Sequence, residues 1–266
     1  MKHARIRFEA IAPGRQQGFN LIELMVAIAV AVFLLVGLFT ILQNTRHTNS
    51  DQAELAQLQD NERFAMSIIT DMVQSAGYYT GAPTNTAETQ LPVDGTTFPT
   101  AGQAISGGGN NTQGDTLVAR FQTALNDGVQ SCMGRSNTSN PTQIFKNTFL
   151  VNTSNQLICS DGNGVAGVAL VNNIVSMNIR WGVNSSATQA NSYCPADTYY
   201  TSATIPPFPS LAWSNVCTVE VTLVFVNPMY QPIPGGPITP GQPSTVSFVK
   251  VISIMSKSGN NTVTLT

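Results

Sequence analysis

Gln17-Gly18-Phe19-Asn20-Leu21-Ile22-Glu23-Leu24-Met25 opens a run that stays apolar as far as Leu42, with no charged residue between Leu24 and Leu42. As a helix rising 1.5 Å per residue, the stretch from Phe19 is long enough to cross a hydrocarbon core of roughly 30 Å. One ionisable group lies inside it. Glu23 comes four residues after Phe19, and a carboxylate in an apolar helix is costly unless something pairs with it, which marks it as a functional residue. Ahead of the run, Lys2, Arg5, Arg7 and Arg15 outweigh Glu9, so positive charge sits on the side that stays cytoplasmic. A secretory signal places its small-residue cleavage site after the apolar core. Here the glycine step, Gly18, comes before it.

Beyond Leu42 the helix is expected to continue, because residues 43–76 contain neither Pro nor Gly. Leu55, Leu58, Ala65, Met66, Ile69, Met72, Val73 and Ala76 recur at spacings of three and four, with Glu62 interrupting the seam, so one stripe faces something apolar. Gly77 supplies a C-terminal stop. From Phe19 to Ala76 the helix would be about 85 Å long. The expected divisions are a leader at 1–18, a membrane or filament-core helix at 19–42, its amphipathic continuation at 43–77 and a β-rich head at 78–266.

The whole chain of 266 residues is 42% hydrophobic and only 10% charged. Of its twelve Lys and Arg, four lie in the leader, and of its fourteen Asp and Glu, one does; the remainder has eight basic and thirteen acidic side chains, a net of minus five. Such a balance argues against a nucleic-acid backbone as ligand, since that binding rests on clustered Lys and Arg. All four cysteines, Cys132, Cys159, Cys194 and Cys217, lie downstream of the apolar run. An even count outside the cytoplasm reads as two disulfides. Three connectivities are open, and the sequential one, Cys132 with Cys159 and Cys194 with Cys217, is the expectation. A zinc site is disfavoured, because no pair has C-x-x-C spacing and the only histidines are His3 and His47.

Residues 80–115, rich in Gly, Thr, Pro and Asn, read as linker, with Gly107-Gly108-Gly109-Asn110-Asn111 as a surface loop. The glycines could cradle a phosphate, but no Lys-Ser/Thr follows them. From Asp115 the period changes to two. Residues 116–121, 148–151, 156–160, 174–181, 216–226 and 245–256 are enriched in Val, Ile, Phe and Thr between turn residues, and antiparallel sheet is the economical reading. Turn chemistry is explicit at Asn152-Thr153-Ser154-Asn155 and Asp161-Gly162-Asn163-Gly164. A calcium loop at Asp161 would need more carboxylates than the one present. Two proline-rich excursions, 205–209 and 227–243, interrupt the strands.

A basic leader, then Gly18, an aromatic Phe19 and Glu23 at the fifth position after the glycine resemble the class III signal of type IV prepilins. That resemblance implies cleavage between Gly18 and Phe19 by prepilin peptidase, N-methylation of Phe19, and retention of the helix as the core of a filament. It assigns Glu23 to the new N-terminus of a neighbouring subunit, which sets the register of the incoming one. Asp60-Asn61-Glu62-Arg63-Phe64-Ala65 and Ser75-Ala76-Gly77-Tyr78 look like the end of the long helix in PilW-type minor pilins. Ser131-Cys132-Met133-Gly134, the strand at 175–182 and Trp213-Ser214-Asn215-Val216 follow one another as in that family. One departure is Thr40, which stands where major pilins usually carry a helix-breaking proline; without it the span is expected to be straighter.

The resemblance implies an α+β, type IV pilin-like fold: a long N-terminal helix packed on an antiparallel head with two disulfides. It implies a minor pilin held in the inner membrane, its N-terminus cytoplasmic and its head periplasmic, which then joins other minor pilins and the major pilin at the filament tip. A J-type pseudopilin of the type II secretion system shares the signal and the helix, although those heads generally lack this two-disulfide layout. A tip-located adhesin is the other alternative. An enzyme is disfavoured, because the head has no histidine and no nucleophile with a partnered base. No cofactor, metal or small-molecule ligand is expected.

Overall fold

The computed structural model describes residues 18, 20–81, 84–185, 194–202, 213–230 and 243–257. Residues Met1–Gln52 and Ala53–Thr266 form two units. Helix α1 (Leu21–Ser75) passes through both. In the first unit every described side chain of the helix from Leu21 to Asn44 is exposed. Three hydroxyls here are satisfied by the helix itself. Thr40, Thr45 and Thr48 each donate 2.9 Å hydrogen bonds to the carbonyls of Val36, Ile41 and Asn44, four residues back, so Thr40 takes its place in the apolar run without an unpaired polar group.

In the second unit the stripe becomes a core. Leu58, Ala65, Met66, Ile69, Met72, Val73 and Ala76 are buried, with Leu55 and Glu62 half-buried at the seam. They join one cluster with Leu117, Ala119, Phe121, Phe145, Phe149, Met177, Trp181, Val219, Val221 and Leu223 of the sheet, so a helix face with period near 3.6 meets strand faces with period two. Val219, Val221, Leu223 and Phe225 are all fully buried, while Glu220, Thr222 and Val224 between them are half-buried.

Among the described residues the sheet has nine strands: β1 (Ile105–Asn111), β2 (Gly114–Ala124), β3 (Thr142–Val151), β4 (Gln156–Ser160), β5 (Val168–Asn172), β6 (Ile174–Val183), β7 (Thr198–Thr201), β8 (Val216–Val226) and β9 (Thr245–Ser253). Its order is β5-β4-β3-β2-β6-β8-β9, with β1 added to β2 and β7 to β6. The expectation of a purely antiparallel sheet needs correction, because β2 and β6 meet in parallel at Gly114 and Met177. From there the sheet forks. β1 follows the edge of β2 and β7 that of β6, so β2 and β6 pair with each other only at the base of the fork. There Met177 N–H donates to the Gln113 carbonyl at 3.1 Å and Ile179 N–H to the Asp115 carboxylate at 2.7 Å. Trp181 is fully buried beside the fork, edge-on to Trp213 at 5.0 Å, and its Nε1 donates to Ser202 Oγ.

The linker reading of residues 80–115 also needs correction. Residues 105–111 are β1, and the glycine there is structural: a Cβ on Gly107 would collide with the Trp181 ring and the Thr116 carbonyl. Upstream lies a short helix, α2 (Ala87–Gln90), capped by reciprocal Thr86–Thr89 bonds. Leu91 and Phe98 are fully buried. β5 and β7 had no alternation to announce them, being four or five residues long at the ends of the pairing. The excursions at 205–209 and 231–242 lie outside the described residues.

Candidate functional site

Helix α1 begins where the Asn20 carbonyl accepts the N–H groups of Glu23 at 2.9 Å and Leu24 at 3.3 Å. Glu23 therefore lies in the first helical turn, where unpaired backbone N–H groups favour a negative side chain. It is exposed, with no ion pair or side-chain hydrogen bond among the described residues. Around it Leu21, Ile22, Leu24, Met25 and Val26 are 53–73% exposed. Apolar side chains in this state gain about 1.5–3 kcal/mol each when fully buried, so the segment is built for another apolar medium. It is long and apolar enough to cross a membrane. Gly18 is exposed and has nothing within 4 Å of the position a Cβ would take. Phe19, the expected new N-terminus, lies outside the described residues.

The four cysteines form two pairs, Cys132–Cys159 and Cys194–Cys217, with Cα separations of 6.3 and 5.6 Å. The first ties the segment before β3 to β4, with Cys132 N–H held by the buried Asn147 Oδ1 at 2.8 Å. The second anchors Cys194 to β8. Each bridge lies in one half of the forked sheet, and neither crosses the fork.

What sequence reading missed is Arg120. It is 1% exposed on β2 and has no carboxylate within ion-pair distance among the described residues. Its guanidinium instead donates to three carbonyls, Gln103 at 2.6 Å, Pro92 at 2.7 Å and Leu91 at 3.1 Å, and stacks 4.1 Å over the Phe98 ring. Burial pushes its pKa down to about 10, with Asp94 pulling the other way, so it remains a cation at neutral pH. Gln122, two residues on, takes Thr80 N–H and Oγ1 on its carbonyl oxygen and donates to Gln90. β2 is thus buried on both faces. Leu117, Ala119 and Phe121 belong to the helix-side core, while Arg120 and Gln122 hold residues 80–104. The signal was available as two long polar side chains at alternate positions of an otherwise apolar strand.

Asp161, the one carboxylate of the Asp161–Gly164 turn, is fully buried and already engaged by Ser131 Oγ and Arg135 Nη1. Among the described residues, no three His, Cys, Asp or Glu side chains lie close enough to hold a metal ion.

Two family models match the chain. Residues 13–39 match the prokaryotic N-terminal methylation motif, and residues 135–240 match Type IV Pilus-assembly protein W. Among solved structures, a type IV-like pilin from Thermus thermophilus is similar at 13% identity and a TM-score of 0.40, covering 74% of this chain and 96% of that one. No curated protein matches.

Proposed function

We propose that this PilW-like type IV pilin acts as a minor pilin, inserted in the inner membrane through residues 19–42 with its leader cytoplasmic and its head periplasmic. Prepilin peptidase cuts between Gly18 and Phe19, Phe19 is methylated, and the chain joins other minor pilins in the complex that primes or caps a filament of major pilin. The observation that carries this reading is the bare apolar half of α1 with a single carboxylate in its first turn. A membrane satisfies the apolar surface before assembly, and neighbouring helices satisfy it afterwards. Only the second setting offers Glu23 a partner: the α-amino group of an adjacent subunit, attracted strongly where water is excluded.

The test is co-expression of the full chain with prepilin peptidase and sibling pilins. Wild type should lose residues 1–18 and gain one methyl group at its new N-terminus, and Gly18→Ala should keep its leader. Glu23→Ala should be processed yet recovered with its siblings at a small fraction of the wild-type yield. Equal recovery and normal piliation with an expressed Glu23→Ala chain would sink the docking role. A deletion that stops enzyme secretion and spares piliation would move the chain to the J-type pseudopilin reading.

A further inference from the structure

The turn between β4 and β5 carries the sequence Asp161-Gly162-Asn163-Gly164, which contains the one Asn-Gly step in the chain. Asn163 N–H is fixed by the Asp161 carboxylate at 3.2 Å, as in an Asx turn. No hydrogen bond holds the side-chain amide: Asn163 is half-buried, and its Nδ2 is shielded from solvent without a partner among the described residues. Gly164 is exposed at φ +73, has nothing within 4 Å of the position a Cβ would take, and its N–H has no acceptor among the described residues. Four other asparagines of the head are held by their side chains. Asn137 Nδ2 donates to the Asn140 carbonyl, Asn147 Oδ1 accepts from Cys132, Asn152 Oδ1 from Ser154 and Gln156, and Asn227 Nδ2 donates to the Pro243 carbonyl.

We propose that Asn163-Gly164 is a spontaneous modification site at which the head converts its own asparagine into an acid. Asparagine is among the chemically labile side chains, and a following glycine lets the backbone approach closely. The Gly164 nitrogen, deprotonated by hydroxide, attacks Asn163 Cγ. A nitrogen–carbon bond forms to Cγ, the Cγ–Nδ2 bond breaks, and Nδ2 departs as ammonia with protons from water. Water then opens the cyclic imide at one of its two carbonyls, giving aspartate or β-linked isoaspartate. The product places a new negative charge two residues from the buried Asp161, where it competes for Arg135, now 3.4 Å from Asp161.

The experiment incubates the folded full-length protein in detergent at mildly alkaline pH, beside a reduced and denatured sample. Peptide mapping with isoaspartate-specific methyl labelling reads the conversion. In the folded protein the peptide containing Asn163 should convert first, several-fold ahead of every other asparagine, and Asn163→Ser, which keeps Gly164 and its turn, should abolish the signal. Asn163 intact in the folded sample when the denatured one has converted would overturn the proposal, and so would another asparagine reacting sooner in the fold.

Discussion

Ser256 Oγ donates a 2.8 Å hydrogen bond to the carbonyl of Ala76, joining residues 180 apart in sequence at the end of the long helix. Helix ends leave carbonyls without intrahelical partners, and here the segment after the last strand supplies one. Gly77 completes the junction at φ +84, its N–H donating to the Arg120 carbonyl at 3.0 Å. A Cβ on Gly77 would collide with the Ser256 side chain and also force a left-handed backbone on an L residue. Gly77→Ala is therefore expected to cost more than Ser256→Ala, about 2–3 kcal/mol against about 1. Thermal or denaturant unfolding of the full-length pair checks the order. Equal losses would mean that the clash is relieved by movement of Ser256.

Arg120 predicts a local effect rather than a global one. Arg120→Met leaves the Leu91, Pro92 and Gln103 carbonyls without their donor, a loss of about 2–4 kcal/mol. Arg120→Lys keeps the charge but cannot reach three carbonyls in a fork. Amide hydrogen exchange should quicken at residues 84–104 in both variants while β8 stays protected. Uniform loss of protection across the head would refute the local role. The pKa lowered to about 10 sets the sign of the pH effect. The unfolded chain binds the proton more tightly, so the burial penalty is fully present below that value and eases as pH rises through it.

The long helix and the central strands were legible because their signals are periodic. Leu58, Ala65, Ile69, Met72, Val73 and Ala76 mark the helix face that the structure buries, and Val219 to Phe225 alternate along β8. What escaped lies where composition and role part company. Gly107, Gly108 and Gly109 read as loop because glycine lacks side-chain packing, yet β1 needs glycine at 107 because Trp181 occupies the space of a Cβ. Arg120 escaped because a buried guanidinium paired only with carbonyls leaves no complementary acid in the sequence. The parallel junction escaped because Gly114 and Met177 are 63 residues apart and make a single pair.

The disulfides should differ in what they protect. Chain-entropy arithmetic gives nearly equal stabilisation for loops of 27 and 23 residues, about 3–4 kcal/mol each. Their surroundings are unequal. Cys132 and Cys159 are both buried against β3 and β4, whereas Cys194 is half-exposed. Under a graded reductant Cys194–Cys217 should open first, and the Cys194→Ser/Cys217→Ser chain should keep the β2–β5 half protected from exchange. Earlier opening of Cys132–Cys159, followed by mass spectrometry of trapped thiols, would reverse this ranking.

The fork makes the sharpest demand on one side chain. Where β2 and β6 separate, the Ile179 N–H finds no strand carbonyl and takes the Asp115 carboxylate at 2.7 Å instead. A charged acceptor makes a short, strong bond, and neither disulfide bridges the two halves to share its task. Asp115→Ala leaves that donor without an acceptor at a cost of about 1–3 kcal/mol, while Asp115→Asn keeps a carbonyl oxygen in place and should recover most of it. Exchange of the Ile179 and Met177 amides should rise strongly in the alanine variant and modestly in the asparagine one, with β8 and β9 amides unchanged. If both variants leave Ile179 protected, the core around Trp181 holds the halves together without the carboxylate.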